Sequence, residues 1–206
     1  MRLRGAAIAL VALGHPAAAT PPGAPITGGS PSGDAAVVAF GFGDVLVCSG
    51  TLIAPHAVLT AAHCLSDAEL PEIAVGDALV GAERHAALAA FVHPDFDPQT
   101  LDHDIAVVLV EPTLGVTPLP IATALDGAAA GSTIRVVGYG WTVANDTSPA
   151  LRRTGTSQLD AVDELRLVSH AATSQACEGD SGGPALFDGG AGERVLGVAS
   201  SGDASC

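Results

Sequence analysis

The chain has 206 residues, of which 48% are hydrophobic and only 3% are aromatic, enough to bury the core of one large or two small domains. Arginine supplies all 8 basic residues, against 22 acidic residues, so that the formal net charge is −14. A chain this negative repels the phosphates of DNA and RNA, which excludes nucleic acid as its main partner.

The beginning of the chain has the pattern of an export signal. An arginine-containing start precedes an apolar run at residues 5–13 and small alanines at residues 17–19. This order is typical of a secretory signal peptide, and an apolar run this short cannot span a bilayer. We therefore predict a signal peptide at residues 1–19 and a short propeptide at residues 20–25. The protein is expected to be secreted, to the extracellular space or the periplasm, and not to associate with membrane.

Short apolar runs separated by glycine and proline make up most of the remaining chain. Such runs are typical of β-strands, and no helix-length amphipathic pattern or fixed repeat interrupts them. The predicted strands lie at residues 35–40, 45–48, 51–53, 57–62, 73–75, 86–92, 105–110, 133–139, 156–159, 165–168, 184–187 and 194–200. Residues 111–120 are rich in proline and predict a linker. The sequence therefore predicts an all-β protein of two antiparallel units.

A glycine-rich turn around Ser181 is the first candidate for a reactive site. Ser181 follows Gly179 and Asp180 and precedes Gly182 and Gly183. Glycines accept backbone dihedral angles that other residues resist, and they let a bound carbonyl group approach the main chain. The serine could be an exposed nucleophile, with the N–H groups of Gly179 and Ser181 forming an oxyanion hole. A glycine-rich surface turn without chemistry is the alternative.

A histidine and an aspartate elsewhere in the chain could activate this serine. His63 ends a predicted strand, and an imidazole can accept a serine proton near neutral pH and return it to a leaving group. Asp104 begins the most apolar strand, where burial of its carboxylate requires a donor such as an imidazole N–H. Asp102 shares a face with Asp104 and is expected to stay solvated. The remaining histidines are interpreted as packing residues: His15, His56, His85, His93, His103 and His170.

The cysteines favour disulfide bonds, and the absence of metal-binding motifs argues against a metal site. Four cysteines fit an oxidising compartment and two disulfides, for which three pairings are open. The sequence contains no C-x-x-C pair and no H-E-x-x-H motif. We therefore predict no metal site and no cofactor.

With His63, Asp104 and Ser181 in this order, the chain resembles the chymotrypsin/trypsin-like serine proteases over about residues 26–206. The resemblance is carried by Ile26-Thr27-Gly28-Gly29, Cys48-Ser49-Gly50-Thr51-Leu52-Ile53, residues 60–64, residues 104–107, Val137-Gly138-Tyr139-Gly140-Trp141, residues 179–184 and Gly197-Val198-Ala199-Ser200. It implies two antiparallel Greek-key β-barrels with the active site between them. The N-terminal barrel would take residues 26–117. The C-terminal barrel, residues 118–206, is expected to lack its last strand and a C-terminal helix, and the protein is identified as a bacterial-type member.

The resemblance implies a secreted serine endopeptidase. His63 would be the general base and then the general acid, Asp104 would orient it, and Ser181 would form the acyl-enzyme. Gly179 and Ser181 would supply the oxyanion hole. A catalytically inactive, protease-like binding protein or a truncated, non-functional product is the alternative.

The resemblance further implies that the chain is made as a zymogen. Cleavage before Ile26 would free an α-amino group that pairs with Asp180 and orders the site. Pro25 stands where trypsin-activated relatives carry Arg or Lys, which argues against activation by a trypsin-like enzyme. The expected partners are a peptide or protein substrate and, as a further candidate, a protein inhibitor, and the chain is expected to be a monomer.

Substrate-binding residues and disulfides are also implied by the resemblance. Gln175 would lie at the base of the specificity pocket, where a neutral amide argues against Arg or Lys as the preferred substrate residue. Ser200, Ser201 and Gly202 would form the edge that pairs with the substrate backbone. The implied disulfides are Cys48–Cys64 and Cys177–Cys206. Two acids, Asp77 and Glu83, fall in a loop where some relatives bind calcium, but on so acidic a chain they are interpreted as solvated.

Overall fold

A computed structural model describes residues 26, 28–65, 69–111, 115–142, 148, 150–163, 165–171 and 174–202. The predicted signal peptide and propeptide, and Cys206, lie outside these residues. In the part of the chain that is described, strands pair into two antiparallel sheets, and the one helical element is a 3₁₀ helix, Ala62–Cys64. No helix in these ranges is long and apolar enough to cross a membrane. The prediction of an all-β fold is confirmed.

The first sheet is seven-stranded and is formed by the N-terminal half of the chain. Its strands are β2 (Val37–Phe42), β3 (Val45–Ala54), β4 (Ala57–Thr60), β5 (Glu72–Val75), β6 (Glu83–His85), β7 (Ala87–Val92) and β8 (Ala106–Val110). They pair in the order β6-β5-β2-β3-β4-β8-β7. Alternate residues of β8 are buried, which is the period expected for a strand with one face toward a core. Phe40, Leu52, Ile73 and Val108 are among the side chains of that core.

The second sheet is six-stranded and includes the start of the described chain. Its strands are β1 (Ser30–Pro31), β9 (Thr133–Gly138), β10 (Arg153–Val162), β11 (Leu167–Ala171), β12 (Pro184–Asp188) and β13 (Glu193–Val198). The order is β1-β10-β9-β12-β13, with β11 also paired to β10. A Cβ on Gly197 of β13 would lie 3.2 Å from the Leu167 side chain of β11. The sheet therefore curls until its two outer strands approach each other.

The observed strands differ from the predicted ones at two places in the first sheet, and one of these is a glycine that makes room for a neighbouring side chain. The sequence predicted separate strands at 45–48 and 51–53, but β3 is continuous through Gly50. A Cβ at Gly50 would lie 2.4 Å from the Phe40 ring, so this glycine makes room for an aromatic side chain and does not end a strand. The strand predicted at 86–92 matches β7 to within one residue, but the sequence did not predict β6, whose residues 83–85 pair with β5.

The two sheets meet along an apolar seam. It contains residues from both sheets: Val37, Ala39, Leu59, Ala74, Leu79, Val137, Tyr139, Leu186 and Val195. Near the predicted boundary at 117/118, the Leu119 N–H donates to Leu52 O of the first sheet at 2.9 Å, and the Ala122 N–H donates to Val195 O of the second at 2.9 Å. The chain thus passes from one sheet to the other close to these residues, and the boundary itself stays a prediction.

Arg152 crosses the seam with a buried guanidinium group, only 3% exposed. Its Nη1 donates to Gly76 O at 3.1 Å, to Val37 O at 3.3 Å and to the Tyr139 hydroxyl at 3.3 Å. Its Nη2 pairs with the carboxylate of Asp77, which is 89% exposed. One cation of the second sheet therefore satisfies buried carbonyl groups of the first.

Replacing Arg152 by methionine is expected to lower the free energy of unfolding by about 3 kcal/mol, because buried carbonyl groups lose a charged donor. Urea unfolding followed by tryptophan fluorescence measures the loss. Arg153→Met is the matched control, since the Arg153 Nε has no hydrogen-bond partner in the described part of the structure, and should cost less than about 1 kcal/mol. Equal losses in both variants would contradict a specific contribution from Arg152.

Candidate active site

His63 is placed by a disulfide and a short helix at the end of β4. The 3₁₀ helix that contains it begins shortly after β4 ends at Thr60. The Cys48–Cys64 disulfide ties this helix to β3, as the sequence predicted. Cys177 is also disulfide-bonded, but its predicted partner Cys206 lies outside the described residues. The His63 side chain is 30% exposed and so is accessible from solvent.

Asp104 is buried directly before β8 and faces His63. Its Oδ1 accepts the His63 backbone N–H at 2.9 Å, and its Oδ2 lies 2.7 Å from the His63 Nδ1. The Ser200 hydroxyl also donates to Oδ2, at 2.5 Å. Burial by itself would raise the pKa of Asp104, but the hydrogen bonds from Ser200 and from His63 outweigh it, and the pKa lies below its usual value. The carboxylate is therefore held ionised, with an imidazole N–H directed at it.

Asp102 belongs to a different set of contacts. Its carboxylate pairs with Arg166 at 2.5 Å, and its side chain is 38% exposed. Hydrogen bonds from Arg166 and Thr100 hold the pKa of Asp102 below its usual value. His103 lies between the two aspartates with a φ of 55°, in the left-handed region. This turn separates the exposed carboxylate of Asp102 from the buried one of Asp104.

The turn that carries Ser181 packs directly on the His63 segment. A Cβ on Gly182 would lie 2.1 Å from the Thr60 Oγ1 and 2.9 Å from the Ala61 nitrogen. Only glycine allows the turn to come this close to the strand that leads to His63. Among the described contacts, no hydrogen bond joins the Ser181 hydroxyl to the His63 ring. In structures without substrate, such bonds are often long and tighten only when substrate binds.

The main chain of the same turn presents unpaired donors. Gly179 has a φ of 91°, and the carbonyl group before it, of Glu178, accepts the Trp141 N–H at 2.7 Å. The Asp180 N–H donates to Cys177 O at 3.0 Å. Across the described residues, neither the Gly179 nor the Ser181 N–H donates to a protein acceptor. These groups remain available to a developing negative charge on a bound carbonyl oxygen.

Asp180, next to Ser181, is a buried carboxyl group. Its Oδ1 accepts the Gly140 N–H at 2.8 Å and its Oδ2 accepts the Cys177 N–H at 2.9 Å. Burial raises the pKa of Asp180 to about 7, against the lowering effect of these two hydrogen bonds. Among the residues that the structure describes, no positively charged group is paired with this carboxyl group to stabilise its ionised form.

Ile26 lies within the second sheet's packing. Its side chain is fully buried, and a Cβ on Gly155 of β10 would lie 2.8 Å from its Cγ2. The Gly29 N–H donates to Ile26 O at 2.5 Å, which closes a tight turn. The predicted start of the mature chain is therefore seated on β10.

The predicted substrate-binding residues lie on both sides of the Ser181 turn in the chain. Gln175 precedes the turn, and residues 200–202 follow it. Gln175 is half-buried, while Ser201 and Gly202 are exposed. A Cβ on Gly202 would lie 3.7 Å from Ala176 O, at ordinary contact distance, so the region next to Gln175 is not blocked. The sequence predicts Ser200 only as part of the substrate edge, and its hydrogen bond to Asp104 is seen only in the structure. No local pattern signals that contact, because the two residues are far apart in the chain.

Within the described ranges, two groups of side chains have metal-ligating atoms close together, within 4.8 Å. In the first, Cys48 and Cys64 already form the disulfide, which removes their sulfur atoms as thiolate ligands. The second comprises His93, Asp95 and His103. Its imidazole rings are stacked, with their centroids 4.7 Å apart, so that their lone pairs do not converge on one point.

Comparisons with known proteins agree on one family. The family model described as Trypsin matches residues 26–206. The chain is 28% identical to trypsin iota of Drosophila melanogaster, over 74% of this chain and 67% of that protein. It is 29% identical to a chymotrypsin of Phaedon cochleariae, over 68% of this chain and 59% of that protein.

Solved structures show the same fold. Neuropsin, a serine protease expressed in the limbic system of mouse brain, superposes with a TM-score of 0.73 at 22% identity and covers 86% of each chain. A structure described as HBP gives a TM-score of 0.73 at 20% identity, over 87% of this chain and 86% of that one. The family match and the two-sheet fold together show that the chain belongs to the trypsin family of serine-type endopeptidases.

Proposed function

We propose that the protein is a secreted endopeptidase that cleaves peptide bonds through a Ser-His-Asp triad and an acyl-enzyme. The carrying observation is the buried carboxylate of Asp104, which receives both the main-chain N–H and the ring N–H of His63. Such a carboxylate fixes the tautomer of the imidazole and stabilises the imidazolium that forms during the reaction.

The catalytic cycle follows from these positions. Ser181 Oγ attacks the carbonyl carbon of the substrate, and the His63 Nε2 accepts its proton. The resulting oxyanion is received by the free N–H groups of Gly179 and Ser181. His63 then gives the proton to the leaving amine, the peptide bond breaks, and the acyl group stays on Ser181. A water molecule, activated by His63, attacks the acyl-enzyme, and the hydroxyl group of Ser181 is restored.

Activation by cleavage before Ile26 is part of the proposal. The new α-ammonium group would enter the buried region where Asp180 has only backbone donors. An ion pair there would favour the ionised carboxylate and stabilise the turn on which Gly179 and Ser181 lie. The mature chain would then take a peptide or protein substrate along residues 200–202. The neutral Gln175 supports a preference for uncharged side chains over Arg or Lys.

Labelling with a fluorophosphonate probe, together with cleavage of a peptide library, tests the proposal. The chain cut before Ile26 is expected to be labelled and to cleave peptides, whereas Ser181→Ala should do neither. Ser169→Ala removes an exposed hydroxyl group from β11, outside the proposed site, and is the matched control, which should retain both properties. A cut parent chain that is neither labelled nor active would contradict the proposal and would favour a protease-like binding protein.

A further inference from the structure

Ser49 is a fully buried residue of β3 whose hydroxyl group reaches the reactive turn of the other sheet. Its Oγ donates to Gly179 O at 2.8 Å. The same oxygen accepts the Tyr139 N–H at 3.0 Å. One side chain of the first sheet therefore joins the turn before Ser181 to the end of β9.

The main chain of Ser49 makes two further connections. Its N–H donates to Ser181 O at 2.8 Å, and its carbonyl oxygen accepts the Thr60 hydroxyl at 2.9 Å. Thr60 ends the strand that leads to His63. Ser49 thus contacts the segments of the nucleophile and of the base. Any residue could make the N–H and carbonyl contacts, but the contact with Gly179 requires the hydroxyl group.

The N–H and carbonyl groups of Gly179 belong to two different peptide units, which meet at its Cα. The orientation of one unit relative to the other depends on the Gly179 dihedral angles. The Trp141 N–H holds Glu178 O, which sets the direction of the Gly179 N–H in the same planar unit. Gly179 itself, with a φ of 91°, has the backbone freedom of glycine. Among the described residues, Ser49 Oγ is the donor to Gly179 O. Without it, among the described contacts, each of the two peptide units that meet at Gly179 keeps one backbone hydrogen bond, from Trp141 N–H to Glu178 O and from Asp180 N–H to Cys177 O. Rotation about the Gly179 dihedral angles is then less restrained, and the N–H leaves the oxyanion direction more often.

We propose that Ser49 is a positioning residue, whose hydroxyl group holds Gly179 so that its N–H stays directed at the oxyanion of the proteolytic reaction. This inference rests on the proposed function. It adds a side chain from the first sheet to an oxyanion hole made of main chain in the second. Ser49 does not touch the substrate, and its effect is expected on the transition state and not on substrate binding.

Ser49→Ala is the test variant, and Thr51→Val is the matched control. Thr51 is also fully buried on β3, two residues further along, but its hydroxyl group has no hydrogen-bond partner in the part of the chain described here. In the cut chain, Ser49→Ala is expected to lower kcat roughly 10- to 100-fold with KM changed less than about threefold. Affinity for a peptide aldehyde, whose adduct places an oxyanion in the hole, should fall by the same factor. Thr51→Val should leave these constants within about threefold.

A second measurement does not depend on activity. In a Ser181→Ala background, the amide order parameter of Gly179 from ¹⁵N relaxation should fall from about 0.85 to below roughly 0.6 on Ser49→Ala, and stay high with Thr51→Val. Ser49→Cys keeps the side-chain size and a weak donor. It should give intermediate values, and it replaces the alanine variant if that variant does not fold.

The outcomes separate this inference from the function on which it rests. A parent chain without activity contradicts the proposed function, and the order parameter of Gly179 then decides the role of Ser49. An active parent with normal kcat and a rigid Gly179 amide in Ser49→Ala overturns the inference alone. A rise in KM with kcat unchanged overturns it as well, because that result would place Ser49 in substrate binding.

Discussion

Asp104→Asn is expected to lower kcat roughly ten-thousandfold near pH 7 while the chain stays folded. The asparagine oxygen can still accept the His63 backbone N–H, which leaves its NH₂ group facing the His63 Nδ1. That nitrogen must then be the acceptor, so the proton moves to Nε2. A ring protonated at Nε2 cannot accept the proton of Ser181.

Steady-state kinetics on the cut chain measure this effect, with thermal unfolding as the check on folding. Asp102→Asn is the control, since Asp102 lies two residues away but pairs with Arg166 on the surface. Its kcat should change less than about threefold, in line with the small contribution of exposed ion pairs. Retention of more than a tenth of the parent kcat by Asp104→Asn would exclude Asp104 as the residue that orients His63.

In the uncut chain, the free energy of unfolding is expected to fall by about 3 kcal/mol between pH 4 and pH 7 because of Asp180. Burial raises the pKa of this carboxyl group from 3.8 to about 7. The folded chain therefore keeps a proton that the unfolded chain releases, and each unit of that difference corresponds to about 1.4 kcal/mol. The stabilisation is complete below pH 3.8 and is lost as the pH rises through 7.

Cleavage before Ile26 should remove most of this dependence, because the new ammonium group would favour the ionised carboxylate. Denaturant unfolding of the Ser181→Ala chain, uncut and cut, across this pH range measures both slopes. The difference between the uncut parent and its uncut Asp180→Asn variant gives the contribution of Asp180 alone. Equal slopes for cut and uncut chains would contradict the pairing of the new terminus with Asp180.

Local pattern was sufficient to single out the candidate reactive groups. His63 and Asp104 each lie beside an apolar strand, and Ser181 lies in a glycine-rich turn, so that sequence alone marks them as polar groups at strand ends. The hydrogen bonds that hold these groups in place could not be predicted from local pattern. Ser200 donates to Asp104, and Ser49 to Gly179, across large separations in the chain. A serine in an apolar run carries no sign of which distant carbonyl or carboxylate it meets.

The fold could be predicted as all-β for the same reason, and its details could not. Alternation and breaker residues locate strands, but they do not distinguish a glycine that ends a strand from one that makes room for a neighbour, as at Gly50. Arg152 is a further example. Its position before β10 suggests an exposed cation, and only the packing of the two sheets shows that its guanidinium group is buried.

The close approach of the Ser181 turn to β4 limits how the site can change. At Gly182 the Ser181 turn contacts main-chain atoms and the Thr60 hydroxyl group of the first sheet's segments. A smaller side chain across this contact therefore cannot make room for a larger residue at position 182. Ser201 and Gly202 are exposed and carry no such constraint. On the proposed function, substrate selectivity can therefore change at these positions without displacing the Ser181 turn.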